Sequence, residues 1–191
     1  MRSPSVLISH VFPAKLDEYQ EQSYLLDPFL EQLVVPVVDC LKRHVSASLS
    51  ATHIGSVHRI GHLSALLYQY VKCRGYKTIS KSPVLHVTHQ THRDDLVRFF
   101  PHEVADMSIL LEYMKKPDGP YQTMPRWSLR YVILLWLSLV CMIPFDLEQF
   151  DEPNQAGGTA ESVESLAKQG LGNAGLEREG SAIVLSRFYM R

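Results

Sequence analysis

Residues 131–143 limit the possible folds more than any other stretch of this chain. They are thirteen consecutive residues, all apolar except Ser138, set between Arg130 and Pro144. A membrane-crossing helix needs about 20 such residues, so the run is too short to span a bilayer. It has no polar face, so a helix formed here must be buried on nearly every side. The chain must therefore supply other elements to surround it.

The rest of the sequence offers amphipathic helices for that purpose. Asp27 and Pro28 suit a helix start, through a side-chain cap and a residue that needs no N–H partner in the first turn. Leu30, Leu33, Val34, Val37, Leu41 and Val45 then recur at helical spacing. Pro36 inside this stripe predicts a kink or two shorter helices. A polar stretch, 46–55, follows, with Ser56 as the next expected cap. Val57, Ile60, Leu63, Leu67, Tyr70 and Val71 form a second stripe, and Gly75 is its expected stop. Asp106 is expected to cap a helix holding Ile109, Leu110, Tyr113 and Met114, closed by the turn Pro117-Asp118-Gly119-Pro120. A Gly-rich loop at 153–159, a helix at 161–169, a link at 170–175 and a last helix at 176–189 complete the pattern. The apolar set of that last helix is Ile183, Val184, Leu185 and Phe188.

Residues 1–13 carry two prolines and no period, and read as a loose leader. Residues 15–22 suit a short exposed helix, and residues 79–95 a loop or ragged extended piece. Nothing else favours strands. The expected class is all-α, with helix pairs stacked as HEAT or armadillo repeats over residues 14–191. A closed helical bundle is the alternative.

Composition narrows the function. Lys plus Arg total 19 and Asp plus Glu 20, a balance that gives no electrostatic case for nucleic acid or an anionic membrane. Cys40, Cys73 and Cys141 are odd in number, widely spaced and flanked by apolar residues, as reduced thiols packed in a cytosolic protein would be. Cys73 lies between Lys72 and Arg74, which could favour its thiolate, but helix packing is the simpler role.

Among motifs that could carry chemistry, His86, His89 and His92 stand at three-residue intervals and could hold zinc for a hydrolase. The Val- and Thr-rich stretch around them follows Pro83. As a strand it would send neighbouring members of the set to opposite faces, so solvated loop histidines are the plainer reading. His102 and Glu103 are adjacent and point apart on a helix, which argues for capping rather than acid–base work. Gly157-Gly158-Thr159 and Gly170-Leu171-Gly172 lack the Lys-Ser/Thr ending of a phosphate loop and read as loops. Trp127 and Trp136 are expected in the core. No residue is assigned a catalytic, cofactor or metal role, and the chain is read as a non-enzyme without a cofactor.

Five segments, in order, resemble the tubulin-folding cofactor D family, also known as tubulin-specific chaperone D. They are residues 19–31; Lys72-Cys73-Arg74-Gly75-Tyr76-Lys77; residues 98–106, with Phe-Pro-His-Glu-Val-Ala-Asp; residues 129–138 with 141–146; and residues 182–188. Residues from about 79 to 96 intervene where the family runs almost directly on, and family members are many times longer. The chain is thus expected to be an N-terminal-region fragment or isoform, from an incomplete or alternatively spliced product.

The resemblance implies a chaperone scaffold that binds β-tubulin, assists αβ-tubulin assembly and supports GTP hydrolysis by tubulin. Its implied partners are tubulin-folding cofactors C and E and an Arf-like small GTPase. Its implied location is the cytoplasm, with association to microtubules or the centrosome. Which residues touch tubulin is not legible. The competing expectation is an inert or competing fragment whose Val184, Leu185 and Phe188 are exposed.

Overall fold

The computed structural model describes residues 12–50, 54–80, 100, 103, 105–115, 127–151 and 157–190. Most of the expected leader, the insert beyond Ser80, the three spaced histidines and the 117–120 turn lie outside the described residues. So do Pro101 and His102. Every regular element among the described residues is helical. The chain divides into two compact units, the first drawn from residues 1–44 and 53–101 and the second from 45–52 and 102–191.

The first unit opens with α1 (Phe12–Glu18) and a 3-10 segment (Gln20–Phe29) that is broken by a non-helical kink at Gln22. The helix thus starts at Phe12, three residues before the expected exposed helix. It is not wholly exposed either, because Leu16 is buried. Asp27 and Pro28 sit at the end of the 3-10 segment rather than at a helix cap. There the Asp27 carbonyl accepts the Leu30 N–H.

The next helix, α2 (Leu30–Ser50), is one uninterrupted run through Pro36. The two shorter helices expected at that proline do not occur. Pro36 and Gln32, whose carbonyl loses its helical partner, are both exposed, so water can satisfy that carbonyl. The buried face is Leu30, Val34, Val38, Leu41 and Val45. Leu33 and Val37, assigned to the stripe from sequence, are only half-buried. The helix also consumes residues 46–50, half of the expected polar separator.

In α3 (Ile54–Ser80), Ile60, Ser64, Leu67, Tyr70 and Cys73 form the buried face. The helix passes straight through Gly75, the expected stop. A mid-helix glycine costs about 1 kcal/mol relative to alanine, which does not by itself end a 27-residue helix. Ser64 satisfies its buried hydroxyl by donating to the Gly61 carbonyl at 2.9 Å. Burial pushes the Tyr70 phenol up to about 12, so it stays protonated throughout the neutral range.

Both α1 and the 3-10 segment pack on α3. The Cys73 thiol donates to the Leu16 carbonyl at 3.4 Å, and Lys72 pairs with Asp17 at 3.5 Å. Cys73 is buried, which fits packing and not thiolate chemistry.

The second unit contains α4 (Ala105–Lys115), α5 (Trp127–Val140), a 3-10 turn (Leu147–Phe150), α6 (Gly158–Leu171) and α7 (Leu176–Tyr189). Asp106 lies inside the first turn of α4 instead of capping it, and is buried. Its N–H is held by the Glu103 carbonyl at 3.0 Å.

As the apolar run demanded, α5 is the core. All of its residues are buried except Trp127, Arg130 and Leu139. Trp136 is fully enclosed, but Trp127 is 39% exposed at the helix start, against expectation. Here α4 packs on α5, α6 on α7, α5 on α7, and α4 on α6. Two helix pairs, α4/α5 and α6/α7, are therefore stacked first helix on first and second on second. That is how repeat units bury faces that a single pair leaves open.

Candidate functional site

The geometry of this stack rests on small residues. A Cβ added at Gly180 of α7 would lie 3.0 Å from Leu134 Cβ and 3.2 Å from a Tyr131 ring carbon on α5. A Cβ at Gly170 of α6 would lie 2.0 Å from Ser181 Oγ on α7. The glycines let α7 approach both neighbours closely. Accordingly its buried face is Gly180, Ser181 and Val184. Ile183, Leu185 and Phe188, expected as its core set, are only half-buried.

Polar contacts fix the register. Arg130 on α5 pairs with Glu177 at 3.2 Å, and Arg187 donates to Ser138 Oγ at 3.1 Å. These two contacts, with the Leu134–Gly180 approach between them, make α5 and α7 parallel. Ser138 is fully buried and also donates to the Leu135 carbonyl at 2.6 Å. The single polar interruption of the apolar run is thus satisfied from both sides. Arg178 donates to the Leu171 and Asn173 carbonyls, closing the C-terminal end of α6.

The N-terminal end of α6 is closed by Asp151. Its carboxylate accepts from the backbone N–H of Thr159 at 2.8 Å and of Gly157. The Thr159 and Gly157 donors hold the Asp151 carboxyl below its ordinary value. Gly157 takes a left-handed conformation, φ +80°, which glycine adopts without a Cβ clash. The Gly157-Gly158-Thr159 motif is therefore a helix start already occupied by a side-chain anion; Gly158 and Thr159, expected in a loop, lie inside α6. Gly170, expected in a loop, is inside α6 and serves the α6–α7 contact.

On the α6–α7 surface, Glu164 pairs with Lys168 at 2.6 Å and accepts from the Tyr189 hydroxyl. Lys168 and then Tyr189 lower the Glu164 carboxyl. The Glu164 carboxylate raises both the Lys168 ammonium and the Tyr189 phenol.

Among the described residues, no His, Cys, Asp or Glu side chains gather in a metal-ligating set. No helix among them is long and apolar enough to cross a membrane. Among the described residues, and apart from Trp127 and Leu171, the exposed large apolar side chains fall in two places. In the second unit, Met142, Phe145, Tyr189 and Met190 stand at the C-terminal ends of the parallel helices α5 and α7. In the first unit, Tyr19, Tyr24, Leu25 and Phe29 cluster in and beside the 3-10 segment. Sequence reading missed both sets because it tracked helical stripes. The available signal in the first was a run of aromatics interleaved with acids, Glu18, Glu21, Asp27 and Glu31.

Comparison with known proteins decides the family. The profile described as "Tubulin-specific chaperone D-like, ARM repeat" matches residues 16–191. The chain belongs to this family. Among curated proteins of the tubulin-specific chaperone D family, the tubulin-folding cofactor D of Schizosaccharomyces pombe is 27% identical over 172 residues. That alignment covers 90% of this chain and 12% of the relative, so the chain spans about one-eighth of that protein's length. No solved structure matches significantly. The expected class holds: this is an all-α, ARM-repeat chain.

Proposed function

We propose that this chain is a non-enzymatic scaffold of tubulin folding that contacts β-tubulin and assists αβ-tubulin assembly. One observation carries the reading: the tubulin-specific chaperone D-like profile extends over residues 16–191, across both helical units. Stacked helix pairs support it physically, because they present broad ridged faces suited to a protein partner. The named relative is a tubulin-folding cofactor. In the same reading, cofactors C and E and an Arf-like small GTPase are further partners. GTP hydrolysis belongs to tubulin, and the setting is the cytoplasm near microtubules or the centrosome.

The test is capture of β-tubulin by the purified chain, with helical content confirmed by circular dichroism. Binding of β-tubulin is the expected result, and a folded chain that captures none overturns the reading. The 12% span of the relative favours one alternative, a fragment that occupies β-tubulin without completing assembly. Added to a tubulin-assembly reaction, such a fragment lowers the yield of dimer, whereas a working scaffold raises it.

A further inference from the structure

We draw no further inference here: the strongest candidate, the exposed apolar patch of Met142, Phe145, Tyr189 and Met190 at the C-terminal ends of α5 and α7, carries none, because nothing in the structure shows what covers it.

Discussion

The contact between α5 and α7 and the contact between the N-terminal segment and α3 solve the same problem by opposite means. In the second unit, an apolar helix meets a face of glycine, serine and valine, and closeness of approach supplies the contact area. In the first unit, the N-terminal segment is tied to α3 by Leu16, a thiol–carbonyl hydrogen bond and one exposed ion pair. Its aromatic side chains stay largely in solvent. The difference teaches where each unit places apolar surface. Close approach in the second buries nearly all of α5, with Met142, Phe145, Tyr189 and Met190 left exposed at the helix ends, whereas the first leaves Tyr19, Tyr24, Leu25 and Phe29 exposed along the anchored segment itself.

The largest way to break this contrast is Leu134→Ala. The side chain is buried in α5 against Gly180, and truncation is expected to cost about 2–5 kcal/mol by denaturant unfolding. Gly180→Val tests the same contact by crowding. With Leu134 and Tyr131 already at 3.0–3.2 Å from a Cβ, the cost is expected at about 1–3 kcal/mol. Gly170→Ala sharpens the comparison, because the intruded atom is a hydroxyl that Ser181 can rotate away. Combined with Ser181→Ala, its penalty should largely vanish, with a coupling of about 1 kcal/mol in a double-mutant cycle.

On the other side of the contrast, Tyr24→Ser with Phe29→Ser should leave unfolding within about 0.5 kcal/mol of the parent, because exposed side chains contribute little to folding.

The smallest effect is pH-dependent. The folded-state Asp151 carboxyl sits below its unfolded value because backbone N–H groups hold its charged form. Its stabilising contribution is present above the ordinary carboxylate range and is lost as pH falls through the depressed folded value. Asp151→Asn should flatten that part of the acid side of the stability curve, read as melting temperature against pH.

Particular residues show how much was legible in advance. The 131–143 run announced α5 and its burial, because a helix with no polar side has few places to go. The bounds of α7, 176–189, were also readable, since Gly175 and the helix-forming residues after it are local signals. Its buried face was not. A stripe search ranks Ile183, Leu185 and Phe188 above Gly180 and Ser181, but backbone-to-backbone approach rewards the smallest residues. Pro36 and Gly75 failed as breaks for a related reason: a local cost of about 3 kcal/mol for the proline and about 1 kcal/mol for the glycine is outweighed by burial along the rest of each helix. The spaced histidines suggested metal chemistry but lie outside the described residues, and the exposed aromatics at 19–29 passed unread because exposure is not a sequence property.

By itself, the sequence determined that this is a helical protein with α5 at a core, and it carried the segments that place it among tubulin-specific chaperone D-like ARM repeats. Those follow from local periodicity and from motifs, which need no knowledge of neighbours. Only the tertiary structure decided which helices stack, that α5 and α7 run parallel, and which apolar residues remain outside. Each of these depends on distances between residues far apart in the chain, and so on packing rather than on any local preference.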